Sequence, residues 1–124
     1  MLQKSPMYAY IPVKDMKRAQ EFYEKKLGVT PKMEIAGGLV YEFAGGTACF
    51  MYPTPNGGTS RANQAYWEVA DIESEVAELK ARGVVFDNFK LPGQDANGIV
   101  TQGAGKAAWF KDSEGNTFAL IQSA

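Results

Sequence analysis

The chain echoes itself. The segment 10–28 recurs about 56 residues later as 66–83. Each copy holds an apolar run, then Val-x-Asp, then an amphipathic stretch, then a glycine. Val13 and Asp15 have counterparts in Val69 and Asp71 at the same offset. A repeat of this period makes the chain two copies of one supersecondary unit, and such units bury their apolar faces by stacking on each other. A binding site is then expected between the copies.

At 124 residues both copies fit in one domain spanning 1–124. Module one covers 7–53, a linker 54–63, and module two 64–122. Apolar residues make up 45%, enough for a real core. The net charge of −1 gives no basis for nucleic acid or an anionic membrane as partner. No apolar run approaches the roughly 20 residues of a membrane-spanning helix. The first residues, Met1 to Pro6, lack an apolar signal core, so a cytoplasmic location is expected. Cys49 is the only cysteine, which excludes an intramolecular disulfide and agrees with that location. It sits in an apolar strand and reads as an inert core thiol. Histidine is absent. That removes the commonest transition-metal ligand and general base, together with every Ser-His and Cys-His nucleophile scheme.

Periodicity sketches the elements. Residues 8–13 read as a strand. Asp15 offers a helix N-cap, and Met16, Ala19, Phe22, Tyr23 and Leu27 form one apolar stripe before Gly28 stops the helix. Strands follow at 39–43 and 47–52 around Ala44-Gly45-Gly46. Pro, Asn, Gly, Thr and Ser crowd 53–63, the linker. The second copy opens with a strand at 64–69. Asp71 is the next cap, with Ile72, Val76 and Leu79 lining the helix. A strand is expected at 84–89. A Gly-rich stretch, 91–105, contains a short strand at 98–101 and is long enough to act as a lid. Strands 107–110 and 117–121 close as a hairpin. The order is β-α-β-β-β, twice, an α+β fold.

Three stretches carry a family resemblance. The first is Val13-Lys14-Asp15-Met16 with Glu21-Phe22-Tyr23 and Leu27-Gly28. The second is Glu68-Val69-Ala70-Asp71-Ile72 leading to Leu79-Lys80-Ala81-Arg82-Gly83-Val84. The third is Ala107-Ala108-Trp109-Phe110-Lys111-Asp112-Ser113-Glu114-Gly115-Asn116, with Ser113 where the family favours proline. Together they resemble the vicinal oxygen chelate superfamily of glyoxalases, bleomycin-resistance proteins, fosfomycin-resistance enzymes and extradiol dioxygenases. The resemblance implies two βαβββ modules whose curled mixed sheets enclose a shared cavity, and a homodimer. It also maps the metal-ligand positions of metal-dependent members onto Tyr8, Phe50, Gln64 and Ala119. Phenylalanine and alanine cannot ligate, and a site needs roughly three or four good donors. The expectation is no metal and no cofactor.

Period-two alternation then sorts the strands. With Tyr8 and Gln64 facing inward, so do Tyr10, Tyr66 and Glu68; likewise Phe50, Tyr52 and Ala119. The family hairpin turns Trp109 inward and Phe110 toward a helix. An aromatic wall with Gln64 and Glu68 as polar handles suits a planar or ring-bearing ligand, although the same rings could simply fill the cavity as core. The leading expectation is metal-independent capture of a small aromatic molecule, as in resistance or sequestration. The near-neutral charge argues against cationic bleomycin itself. The alternative is a lyase or isomerase with Glu68 or a tyrosine hydroxyl moving a proton. A third reading keeps a divalent cation on Glu68, Gln64 and Glu42 or Glu34.

Overall fold

Both helices begin where an aspartate predicts. The computed structural model describes residues 1–123, in which α1 spans Met16–Lys25 and α2 spans Ile72–Ala81. The Asp15 side chain accepts from the Arg18 backbone N–H at 3.0 Å, and Asp71 accepts from that of Ser74 at 3.2 Å. Each cap satisfies a donor that the helix leaves orphaned. At the end of α2 the Gly83 N–H bonds the Lys80 carbonyl and the Val84 N–H that of Leu79, a Schellman closure.

Four strands accompany each helix. Module one contributes β1 (Ala9–Val13), β2 (Met33–Ile35), β3 (Gly38–Glu42) and β4 (Ala48–Pro53), in sheet order β1-β4-β3-β2. Module two contributes β5 (Asn63–Glu68), β6 (Val100–Gln102), β7 (Gly105–Lys111) and β8 (Thr117–Gln122), in the matching order β5-β8-β7-β6. In each sheet the first strand pairs parallel with the last, which requires the helical crossover, and the other pairs are antiparallel. The β-α-β-β-β repeat read from the sequence is therefore the fold.

Two details differ from the sequence reading. Residues 84–89 form no strand; Phe86 makes only an isolated bridge to Phe110. Val84 is buried because the segment lies on the core, so its apolarity reports packing and not a ladder. Conversely, β2 is only three residues long, too short for alternation to reveal. Its signal was the turn: Ala36 and Gly37 both adopt positive φ, as a two-residue type I′ hairpin requires.

One core serves both modules. Ile11, Val13, Tyr23, Tyr41 and Met51 from module one merge with Ile72, Val76, Phe110, Phe118 and Leu120 from module two. Tyr23 meets Phe118 edge-on at 6.3 Å across the module boundary. Cys49 lies in this core, and burial pushes its thiol up to about 11, as suits an inert position. The opposite sheet faces stay open: Tyr10 keeps 59% and Tyr66 56% of its surface.

Candidate functional site

The inward alternation predicted for β1 and β4 produces a ring cluster. The register sets Tyr10 beside Phe50 and Pro12 beside Tyr52. Tyr10 lies 5.7 Å from Phe50 and 4.9 Å from Tyr52, while Phe50 and Tyr52 lie parallel at 6.4 Å. Tyr8, Tyr10 and Phe50 then line an open groove of about 380 Å³ with Met33, Ile35 and Val40. Sequence reasoning missed the last three. Val40 was recoverable from alternation on β3, where it pairs with Phe50; Met33 and Ile35 were hidden with their short strand. Glu42 stands at the rim, bound to Lys32 at 2.9 Å.

A second groove, about 430 Å³, lies on the other sheet. Trp109 faces it beside Ala107, Ile121, Val100 and Leu91. Trp109 pairs with Ala119, and Tyr66 also pairs with Ala119, so these three share one face of the sheet. Phe110 points the other way, fully buried and stacked on Trp67, as predicted. Phe89 meets the Trp109 ring edge-on at 5.7 Å. No sequence signal placed Phe89 and Leu91 there, because an irregular loop positions them. The Gln94 amide shapes that loop: its oxygen accepts from the N–H groups of Phe89 (2.9 Å) and Leu91 (3.4 Å), and its nitrogen donates to the carbonyls of Asp87 and Gly98.

The predicted wall thus divides into two sets, Tyr8, Tyr10, Phe50 and Tyr52 on one sheet and Tyr66, Trp109 and Ala119 on the other. Gln64 joins the sheets: its Nε2 donates to the Tyr10 carbonyl at 2.7 Å. Glu68 is exposed and accepts from the Ser123 hydroxyl at 2.6 Å. Of the four positions that bind an ion in metal-dependent relatives, Phe50 and Ala119 carry no donor and the Gln64 amide nitrogen is engaged. Among the described residues no three His, Cys, Asp or Glu side chains converge as an ion would need. These residues do not fit a metal.

With this geometry in place, the family model for the glyoxalase/bleomycin resistance protein/dioxygenase superfamily matches residues 6–120. The chain belongs to that superfamily. No curated protein sequence matches it. Among solved structures, TnmS3, an antibiotic-binding protein from Streptomyces sp. CB03234, is 23% identical, with 100% of this chain and 99% of that one covered at a TM-score of 0.77. A glyoxalase/bleomycin resistance protein from the same organism is 25% identical, with 95% and 100% covered and a TM-score of 0.69. The fosfomycin resistance protein FosX of Listeria monocytogenes is 12% identical, with 98% and 94% covered and a TM-score of 0.72. No helix among the described residues is long and apolar enough to cross a membrane.

In this glyoxalase-superfamily chain the closing turn at 112–116 does more than join two strands. Buried Asp112 accepts from the Tyr23 hydroxyl at 2.8 Å, from the Asn116 amide at 3.0 Å, and from the backbone N–H groups of Glu114 and Asn116 at 2.9 Å each. The Asn116 amide also donates to the Pro12 carbonyl. The Glu114 side chain is wholly covered. It accepts from the backbone N–H groups of Lys14 and Asp15 and forms a two-pronged pair with Arg18 at 2.7 and 2.9 Å. The Arg18 guanidinium holds the Glu114 carboxyl down at about 2, with the Asp15 N–H and Ser113 hydroxyl assisting against the opposing effect of burial. Gly58 closes the latch from outside, at φ +74, where a Cβ would run into the Glu114 carbonyl. The turn motif showed a hairpin; its grip on the start of α1 arises only in three dimensions.

Proposed function

We propose that this chain captures a planar, ring-bearing small molecule by a metal-independent mechanism, in the manner of resistance or sequestration proteins. The observation carrying this reading is the Tyr8–Tyr10–Phe50–Tyr52 face. It offers flat apolar surface, and among the described residues none of its tyrosine hydroxyls is engaged in a hydrogen bond. Such rings grip a planar ligand by stacking while free hydroxyls bond its carbonyl or hydroxyl oxygens. The antibiotic binding of TnmS3 supports small-molecule capture at this coarser level. Groove one holds no unpaired charge, since Glu42 is bound to Lys32, so a neutral or weakly charged molecule fits better than a strong cation.

A second copy of the chain completes the site. Each groove is open on one side, and Tyr8, Tyr10, Met33, Ile35, Tyr66, Phe89 and Leu91 are each at least 41% exposed. Apolar surface gathered this way favours burial against a partner, and two-fold pairing would bring groove one of one copy to groove two of the other.

Titration calorimetry with flavone, acridine and a hydroxyanthraquinone tests the reading. Saturable binding by at least one, unaltered by chelator and weakened at least tenfold in Tyr10→Ala, is the expected outcome. Absence of binding by all three, or binding that requires added divalent metal, would sink it. Light scattering coupled to size exclusion tests the pairing: a monomer at tens of micromolar, with or without ligand, rejects it.

A further inference from the structure

The helix-facing side of the molecule holds a second opening that the groove reading does not use. Two cavities, of about 280 and 200 Å³, lie on either side of the Phe43–Trp67 pair, whose rings meet edge-to-face at 5.8 Å. Leu27, Val29, Leu79 and Leu120 wall the first; Ile11, Tyr23 and Phe118 wall the second. Protein interiors are packed closely, yet here Leu27, Val29, Phe43, Trp67 and Leu79 remain only partly buried around open space.

The partition between the cavities sits at the start of a glycine-rich turn. Phe43 directly precedes the Ala44-Gly45-Gly46 turn; Ala44 borders the first cavity and Thr47 and Ala48 the second. Gly45 and Gly46 adopt φ of +72° and +78°, and no heavy atom lies within 4 Å of where their Cβ atoms would be. The two glycines thus face open space, while hydrogen bonds from the Phe43 N–H to the Thr47 carbonyl (2.9 Å) and from the Thr47 hydroxyl to the Ala44 carbonyl (3.2 Å) close the turn. A swing of the Phe43 ring would join both spaces into one of drug-molecule size, the kind of apolar cleft between structural units where ligands bind. The charged groups at its edge are both acidic: Glu68 and Glu75 border the first cavity and are exposed, but Glu68 already accepts from the Ser123 hydroxyl, whereas Glu75 of α2 forms none of the ion pairs among the described residues.

We propose that this inter-module cleft is a second small-molecule site, gated by Phe43, for an amphiphilic amine whose apolar ring enters between Phe43 and Trp67 and whose ammonium pairs with Glu75. Aromatic faces and a carboxylate together favour a cation over an anion. The cleft shares no lining residue with either sheet groove, although Tyr66 and Glu68 of the predicted wall border its cavities.

The two tryptophans make the test direct, because Trp67 borders the cleft and Trp109 faces groove two. In Trp109→Phe, 4-phenylbutylamine changes Trp67 emission saturably, at a midpoint at least fivefold lower than 4-phenylbutyrate requires. Glu75→Gln in the same background abolishes that preference. In Trp67→Phe the Trp109 emission does not respond. Should Trp109→Phe fold poorly, the indole N–H resonances of the unaltered protein give the same answer: the amine shifts the Trp67 signal. No saturable response at Trp67, an equal response to amine and acid, a preference that survives Glu75→Gln, or a response confined to Trp109 would each overturn the proposal.

Discussion

The latch at 112–116 and the tyrosine face of the first sheet treat polar groups in opposite ways. In the latch, every described side-chain oxygen of Asp112 and Glu114 accepts hydrogen bonds from named donors. On the tyrosine face the hydroxyls stand free beside exposed rings. The latch bonds strand β1 at Pro12 and the residues that open α1, so it sits only a few residues from that face. Full satisfaction where the modules must hold together, and none where a partner must be met, is what separates a structural polar network from a recognition surface.

Removing the centre of the latch should have the largest effect. Asp112→Ala leaves the Tyr23 hydroxyl, the Asn116 amide and two backbone N–H groups without their acceptor. A loss of about 3–4 kcal/mol is expected, read as a fall in thermal midpoint of roughly 10 °C or more. A loss below about 1 kcal/mol would show that the latch is not what holds the modules.

Glu114 probes the same region through pH. Its carboxyl is held at about 2 in the fold, below the ordinary value of 4.5. The lowered value means that the stabilisation is fully present above the ordinary carboxylate range and is lost as pH falls toward 2. Because Arg18 is half exposed, about 1–2 kcal/mol is expected. Denaturant unfolding between pH 6 and 2.5 should therefore show a steeper decline for the unaltered protein than for Glu114→Gln. Parallel curves would assign the acid sensitivity elsewhere.

Two buried tyrosines sharpen the contrast within the core. The Tyr23 hydroxyl bonds Asp112, whereas the Tyr41 hydroxyl is buried with no partner among the described residues. Tyr23→Phe is expected to cost about 1–2 kcal/mol, and Tyr41→Phe to be neutral or stabilising by up to about 1 kcal/mol. Equal costs in urea unfolding would contradict this. The smallest stability change belongs to the open face: Tyr10→Phe should stay within about 0.5 kcal/mol, while weakening a ligand that bonds its hydroxyl. A large stability loss there would mean that the ring is core and not surface.

Much of this was legible along the chain because it depends on local rules. Asp15 and Asp71 cap helices by bonding N–H groups three residues away; alternation anchored on Tyr8 sorted Tyr10 from Ile11, and the resemblance to the family hairpin sorted Trp109 from Phe110. The strand that follows each helix was less legible: β2 is too short for a pattern, and in 84–89 Val84 and Phe86 pack on the core without joining a ladder. Phe89 and Leu91 could not be placed, since the loop that carries them takes its shape from the Gln94 amide.

The sequence by itself determined the repeated βαβββ unit, its two helix starts and, with one facing residue given, the core-facing side of β1 and β4, since spacing of three to four or of two residues encodes these directly. Tertiary structure alone decided that Glu114 would seize Arg18 across 96 positions of chain, that the aromatic wall would divide between two open grooves, and that a gated cleft would remain beside Trp67. Contacts so distant along the chain leave no periodic trace; they follow from how the two units dock, which is set by the summed shape of the whole core.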